Sequence, residues 1–268
     1  MTDALEWSRA ADPARRIGHA VEHHPSIGST NDRARELLAG PTGEGIAVVA
    51  DHQTSGRGRR GRTWVSPPGR NLMVSVAVRP RLDRGRAGLL GIAAAVAVRD
   101  ACDGAAGDRR IGLRWPNDVV SADGLKLAGL LLETTLVGER LVDAVIGVGV
   151  NVNWRRAEMP PEIAERASSL ADLAGTDLDR VALLADLLAR LDREIAALEE
   201  GISPVDRFRE ASVLDGREVS VEVGPERLDG TVSGIAGDGA LLLDTATGRL
   251  ALSVGEVVAV RDAAGATA

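Results

Sequence analysis

The first three quarters of the chain mix apolar runs of strand length with longer helical patterns. Apolar runs typical of buried strands occur at residues 45–50, 71–79, 111–115, 125–133 and 141–152. The run 141–152 is the most apolar, which predicts a central strand. Residues 86–100 are rich in Ala and Leu, and residues 179–200 repeat apolar positions at three- and four-residue steps, so both predict helices.

After residue 208 the pattern changes to short strands separated by glycine-containing turns. The strand segments are 217–223, 228–235, 240–244, 249–253 and 257–260. Five short strands in so few residues are typical of a small SH3-like β-barrel. The prediction is an α+β protein with an N-terminal arm (1–24), a mixed-sheet domain with helices (25–208), a C-terminal barrel (213–262) and a disordered tail (263–268).

The segment between the first two strands, residues 56–64, reads GRGRRGRTW and is called the arginine loop below. Glycine lets a backbone approach a ligand closely, and arginine carries a planar fork that matches carboxylate and phosphate. The alternation favours neither a helix nor a strand, so we expect a mobile loop that closes over an anion. A solvated basic loop without a ligand is the alternative interpretation, since most short arginine-rich segments are of that kind.

Composition narrows the class of protein. Hydrophobic residues make up 44% and charged residues 26%, which is typical of a globular chain. No run approaches the about 18 apolar residues of a membrane span, and the N-terminus lacks an apolar signal core, so we expect a cytoplasmic protein. The net charge of −7 disfavours a general nucleic-acid binder and suits a small anionic ligand better.

Cysteine and histidine usage disfavours other kinds of site. The chain contains one cysteine, Cys102, which excludes an internal disulfide and predicts a small buried apolar residue. Its four histidines show no metal-ligand spacing with cysteines, so a structural zinc site is not expected.

Lysine usage points to one residue. Of the 32 lysine and arginine residues, only Lys126 is a lysine. An ammonium is a compact charge on a flexible stem, whereas a guanidinium is a bulky planar fork. Lys126 is therefore a candidate catalytic cation, with a chance surface lysine as the alternative.

Two further stretches predict a ligand site. Ser29 and Thr30 precede a helix-forming segment, and a helix start can hold an anion, although a plain N-cap is the commoner role. Gly147 and Gly149 lie two apart and therefore on one face of the predicted central strand, which leaves room for a ligand against the backbone. Asn151 follows on the same face, where its amide can read the edge of a base.

Taken together and in order, five motifs resemble those of biotin–protein ligases. They are GSTN at 28–31, GRGRRGRTW at 56–64, WPND at 115–118, KLAGLLLE at 126–133 and GVGVN at 147–151. Each motif alone is weak, but the ordered set is specific and extends over most of the chain. The resemblance is to the monofunctional type, because the residues before the first motif are too few for the N-terminal DNA-binding domain of some relatives. No repressor role, nucleic-acid partner or membrane partner is therefore expected.

The resemblance implies a class II tRNA-synthetase-like fold, a mixed sheet with helices on one side. It also implies formation of biotinyl-5′-AMP from biotin and ATP with Mg²⁺, then transfer to a lysine of a biotin carboxyl carrier domain. That domain would belong to acetyl-CoA, acyl-CoA or pyruvate carboxylase, and the ligase would be a monomer or a homodimer.

Residue roles follow from the same resemblance. It assigns biotin binding to Ser29, Thr30, Gln53, Gly56, Arg57, Gly129, Gly147 and Gly149. It assigns ATP binding to Arg59, Arg60, Trp64, Asn117, Lys126 and Asn151. Lys126, Arg57 and Asp118 are the implied catalytic residues, with Asp118 acting on the acceptor lysine or holding Mg²⁺. The metal ligands themselves are not predicted.

One departure and two alternatives qualify this prediction. The family usually has lysine before the WPN triplet, where this chain has Arg114, and a fork in place of a point charge is not neutral at a phosphate. A lipoate or other acyl-adenylate ligase of the same fold is the alternative enzyme. A non-enzymatic nucleic-acid module is disfavoured by the acidic charge and the absence of tyrosine.

Overall fold

The computed structural model describes residues 3–107 and 111–261. The predicted tail, 263–268, lies outside the described residues. The α-helices are α1 Ala4–Ser8, α2 Thr30–Leu38, α3 Ala87–Ala106, α4 Pro161–Ala164, α5 Leu170–Ala174, α6 Arg180–Glu199 and α7 Val205–Ala211. The strands are β1 Val21–His24, β2 Ala47–Ala50, β3 Leu72–Val78, β4 Leu82–Asp83, β5 Gly112–Arg114, β6 Asp118–Val120, β7 Lys126–Val137, β8 Arg140–Val150, β9 Glu218–Val223, β10 Glu226–Ile235, β11 Leu241–Thr245, β12 Gly248–Leu252 and β13 Glu256–Arg261.

The larger sheet is mixed and has eight strands. Its order is β1-β2-β3-β8-β7-β6-β5, and β4 also pairs with β8. β1 and β2 are parallel, and the other pairings are antiparallel. β8 lies inside the sheet between β3 and β7, as expected for the most apolar run. The α+β prediction is confirmed.

Helices cover both faces of this sheet because its strands are apolar on both sides. α3 and α6 pack against each other over one face, where Val49 and Val76 lie in the main core. The short helix α2 packs on the other face, where Ala34 and Leu38 contact Val48. The resemblance implied helices on one side only, so α2 is a difference. It places the residues that open α2 directly above the sheet.

The N-terminal segment also differs from the prediction of a separate arm. Its β1 forms the edge of the large sheet, parallel to β2. Trp7 and Ile17 are fully buried in the main core. The polar composition of the segment conceals these anchors, because two large apolar side chains are enough to bury it.

The C-terminal strands form a five-stranded antiparallel sheet in the order β12-β11-β10-β9-β13. Their bounds match the five predicted segments to within two residues. Trp115 joins the two parts of the chain, since its Nε1 donates to Gly239 O at 3.1 Å.

Within the described part of the chain, the helices are all too short or too polar to cross a membrane.

Candidate active site

The arginine loop leaves the sheet between two adjacent strands, β2 and β3, so both of its ends are held. Arg180 at the start of α6 is buried and donates from Nη1 to Asp51 Oδ1 and to Asn71 O, each at 3.1 Å. Asp51 and Asn71 are the residues where the connection leaves β2 and enters β3. The other carboxylate oxygen of Asp51 lies 3.0 Å from His23 Nε2. This buried cluster gives the mobile segment a rigid base.

The neck of the loop is narrow because Gly56 and Trp64 meet across it. Trp64 N donates to Gly56 O at 3.0 Å. A Cβ at position 56 would lie 2.7 Å from Trp64 O, which any side chain larger than hydrogen would disrupt. Gly56 was predicted to bind biotin, but here it closes the neck of the loop.

Most arginines of the loop are paired with carboxylates from elsewhere in the fold. Arg57 forms a two-pronged ion pair with Asp32 of α2, with distances of 2.6 and 2.8 Å. This pair raises the pKa of Arg57 and lowers that of Asp32, in each case mainly through the hydrogen bonds between them. Arg60 reaches the C-terminal sheet, where it pairs with Glu222 at 2.9 Å. Arg62 pairs with Glu256 of the same sheet.

Arg59 differs from its neighbours because it bonds neutral acceptors. Its guanidinium donates to Asn117 Oδ1 at 3.1 Å and to Gly255 O at 3.2 Å. Burial lowers the pKa of Arg59, and the nearby charge of Asp118 opposes that shift. A partly buried cation with neutral partners is well suited to receive an anion.

The predicted glycine face is present, but side chains of this chain lie against it. Gly147 is opposite Ser75 in the sheet, and a Cβ at position 147 would lie 2.2 Å from Asn31 Oδ1. Gly149 is paired with Gly129 of β7, and its added Cβ would lie 2.5 Å from Cε2 of Trp64. The prediction of open space was wrong in detail, because the glycines make room for an amide and an indole.

A chain of buried polar atoms lies beside this face. Gln53 Oε1 accepts from Thr30 N at 2.8 Å, and Thr30 Oγ1 lies 2.7 Å from Ser75 Oγ. Ser75 donates to Asn31 Oδ1 at 2.6 Å, and Asn31 Nδ2 donates to Glu133 Oε2 at 2.6 Å. Sequence reasoning assigned no role to Asn31, Ser75 or Glu133. One signal was available for Ser75, a lone hydroxyl within the apolar run of β3.

Lys126 lies at the start of β7, next to the WPND segment. Its Nζ is 2.6 Å from Asp118 Oδ1 and 5.7 Å from the centre of the Trp64 ring. An ammonium held by a carboxylate is protonated, so Lys126 serves here as a cation and not as a nucleophile. Gly129 leaves the space for it, since a Cβ there would lie 2.9 Å from Nζ.

Two cavities meet at this lysine. The smaller, about 50 Å³, is enclosed by the polar chain, the glycine face and the arginine loop. The larger, about 430 Å³, lies between the loop, the WPND segment and the C-terminal sheet. The residues that line both are Gly58, Arg59, Trp64, Asn117 and Lys126. Two compartments with a shared cationic wall can hold two reactants in contact, which is the arrangement that a condensation of two anions needs.

Comparison with known proteins agrees with this geometry. Residues 24–151 match the Biotin/lipoate A/B protein ligase family, and residues 216–259 match the biotin protein ligase C terminal domain. The Biotin--[acetyl-CoA-carboxylase] ligase of Mycobacterium tuberculosis is 35% identical over 240 residues, covering 87% of this chain and 86% of that protein. This chain belongs to the biotin protein ligase family.

Other relatives extend the comparison. The bifunctional ligase/repressor BirA of Bacillus subtilis is 32% identical over 237 residues, covering 87% of this chain and 71% of that protein. A biotin protein ligase of Aquifex aeolicus, solved in complex with biotin and ATP, has a TM-score of 0.75 and 29% identity. The alignment covers 91% of this chain and 99% of that one. The resemblance deduced from the motifs is confirmed.

Most of the predicted site residues of this family member come together. The small cavity is lined by Ser29, Thr30, Gln53, Arg57, Gly129, Gly147 and Gly149. The larger cavity is lined by Arg59, Trp64, Asn117, Asp118, Lys126 and Asn151, and also by Arg114.

Three predicted residues make contacts that differ from their expected roles. Arg60 faces the C-terminal sheet and not a phosphate site. The Asn151 amide donates to Lys126 O at 3.3 Å and to Ser168 O at 3.2 Å, so both its protons are engaged within the protein. Arg57, expected to contact a reacting anion, instead holds Asp32. Neighbouring segments compete for these polar atoms, and that competition is not visible in the local motif.

Arg114, the residue that departs from the family pattern, donates to Gly124 O in the β6–β7 turn. Its guanidinium thus bonds the backbone beside Lys126, at the rim of the larger cavity.

Metal-binding groups are sparse. Within residues 3–107 and 111–261, no three His, Cys, Asp or Glu side chains cluster closely enough to hold a metal ion by themselves. Asp118 is the carboxylate that lines the larger cavity next to Lys126.

Proposed function

We propose that this enzyme condenses biotin with ATP to form biotinyl-5′-AMP and pyrophosphate, then transfers the biotinyl group to a lysine of a carrier protein. The observation that carries the proposal is the Lys126–Asp118 pair on the wall shared by the two cavities. Membership of the biotin protein ligase family and the likeness to a ligase solved with biotin and ATP support it.

In the first step, a biotin carboxylate oxygen attacks the α-phosphorus of ATP, and the bond to the β-phosphate bridging oxygen breaks. Pyrophosphate leaves with that electron pair. Two anions approach each other, so fixed cations have to offset their repulsion. Lys126 and Arg59 are assigned this role because they are the cations that line both cavities. Trp64 covers the meeting point and excludes water from an adenylate that hydrolyses readily.

In the second step, the acceptor amine attacks the biotinyl carbonyl carbon, the bond to AMP breaks, and AMP leaves. The attacking nitrogen has to lose a proton. Asp118 is the carboxylate at this position, and its ion pair with Lys126 keeps it charged and able to orient the incoming amine.

The donor set of the larger cavity fits Mg²⁺ bound through a nucleotide. Mg²⁺ is commonly held by one or two carboxylates together with substrate phosphates and water. Asp118 would supply the protein oxygen, with Asn117 Oδ1 beside it. The bound ion would neutralise charge on the ATP phosphates.

The carrier is proposed to be the biotin carboxyl carrier domain of acetyl-CoA, acyl-CoA or pyruvate carboxylase, and the reaction is proposed to take place in the cytoplasm. The Mycobacterium tuberculosis relative is named for acetyl-CoA carboxylase, which supports that choice. Whether the enzyme acts as a monomer or a homodimer remains a prediction, as do the domain boundaries.

Pyrophosphate release with ATP and each of three acids, biotin, lipoate and octanoate, tests the proposal. We expect release with biotin at micromolar concentration and little with the other two. Release with lipoate alone would establish the alternative acyl-adenylate ligase, and no release with biotin would refute the proposed function.

A further inference from the structure

The chain of buried polar atoms from Glu133 to Thr30 has a direction. Glu133 Oε2 accepts from Asn31 at 2.6 Å and lies 3.2 Å from an Arg35 nitrogen and 3.8 Å from an Arg57 nitrogen. An ionised carboxylate accepts hydrogen bonds and donates none. The amide nitrogen of Asn31 therefore has to face Glu133, and its oxygen has to face Ser75.

This orientation determines where the hydroxyl protons lie. Asn31 Oδ1 can only accept, so the Ser75 proton is engaged in the 2.6 Å contact with it. Ser75 Oγ then has lone pairs left for Thr30, 2.7 Å away, and that contact is a hydrogen bond only when Thr30 donates. Gln53 Oε1, 3.0 Å from the Thr30 hydroxyl, already accepts the Thr30 backbone N–H at 2.8 Å.

The Thr30 hydroxyl has one proton, and the chain commits it to Ser75. What Thr30 presents to the small cavity is an oxygen that accepts. Thr30, Asn31 and Ser75 are all buried, so water does not readily reverse this order. A reversed chain would begin with a donor in place of Glu133, and would leave the Thr30 proton free to point elsewhere.

We propose that Glu133 is a positioning residue that makes Thr30 an obligate hydrogen-bond acceptor, and thereby selects a ligand ring that carries N–H groups. The inference rests on the proposed function, since the cyclic urea of biotin has two N–H donors. The dithiolane ring of lipoate has none. Glu133 acts through Asn31 and Ser75 and touches neither reactant.

The experiment separates acceptor capacity from charge. Glu133→Leu removes the acceptor and frees Asn31 to turn over, and its KM for biotin should rise about tenfold, the effect of one misdirected hydrogen bond. Glu133→Gln removes the charge but keeps a carbonyl oxygen that can accept from Asn31, so its KM should stay within about threefold of the unmodified enzyme. In both variants kcat and the KM for ATP should change by less than about twofold, because the chain does not reach the phosphates.

Glu36→Leu is the matched control, since Glu36 is an exposed carboxylate of α2 that pairs with Arg33 at 3.1 Å, outside the chain. A second measurement is calorimetric binding of biotin and of biotin methylated on its ureido nitrogens. The methylated compound should bind the unmodified enzyme much more weakly than biotin does, and Glu133→Leu should narrow that difference.

The outcomes are distinct. Equal loss in Glu133→Leu and Glu133→Gln would assign the role to charge and overturn the inference. So would a loss shared by kcat, the KM for ATP and the melting temperature, which indicates a general structural role. No biotin-dependent pyrophosphate release by the unmodified enzyme would refute the proposed function itself.

Discussion

Replacing Gly149 with alanine places one methyl group where the Trp64 indole lies. The new Cβ would be 2.5 Å from Cε2 and 2.6 Å from Cζ2 of the ring. Gly149 lies in a regular strand and lacks a positive φ, so alanine strains nothing in the backbone itself. The whole effect should therefore appear as displacement of the indole.

The expected magnitude follows from where the strain can be relieved. Overpacking by one methyl group costs about 1–3 kcal/mol in a core that cannot move. Here Trp64 belongs to a loop that can swing outward, so the cost falls on loop closure and not on unfolding. A penalty of that size lowers the closed population about 5- to 150-fold. The KM for biotin should rise, and the adenylate should be lost to water faster.

Three measurements check this prediction. They are the KM for biotin, the rate of pyrophosphate release without a carrier protein, which reports hydrolysed adenylate, and the melting temperature. Gly104→Ala in α3 is the control, because its nearest heavy atom is 3.8 Å away and helical alanine is about 1 kcal/mol more stable than glycine. An unchanged KM with normal adenylate retention in Gly149→Ala would refute the reasoning. A large fall in melting temperature would show that the indole belongs to the rigid core.

Three further predictions concern single residues. Lys126→Ala should lower adenylate formation at least about a hundredfold with little change in melting temperature, because it removes a cation from the shared wall, and near-normal turnover in the pyrophosphate assay would contradict the catalytic assignment. Prolonged turnover should produce little self-biotinylation by mass spectrometry, since the chain has one lysine and Asp118 keeps it protonated; abundant labelling away from the N-terminal amine would count against this. Burial raises the pKa of Cys102 to about 12, so at pH 8 the folded protein should not react with a thiol reagent, whereas the unfolded protein should release one equivalent; rapid reaction of the native protein would show that the α3 core opens.

The sequence predicted much of the fold because periodic burial is a local property. The strand β8, the helices α3 and α6 and the five C-terminal strands each lie where the apolar pattern placed them. A strand or helix with one apolar face has few other ways to bury it. The N-terminal segment was misjudged for the same reason, since Trp7 and Ile17 are too few to give a period.

The site was predictable in membership but not in contacts. The motifs identified Lys126, Thr30 and most of the residues that line the two cavities. They missed Ser75 and Glu133, which look like ordinary strand positions until α2 brings Asn31 between them.

What the sequence by itself determined is which segments form strands, helices and turns, and which chemical groups the site contains. Only the tertiary structure decided which donor meets which acceptor. Arg57 and Arg60 occur in one short motif, yet one holds Asp32 on α2 and the other holds Glu222 on the C-terminal sheet. The physical reason is that burial patterns repeat along the chain, whereas a hydrogen bond depends on distances of a few tenths of an ångström between segments far apart in sequence.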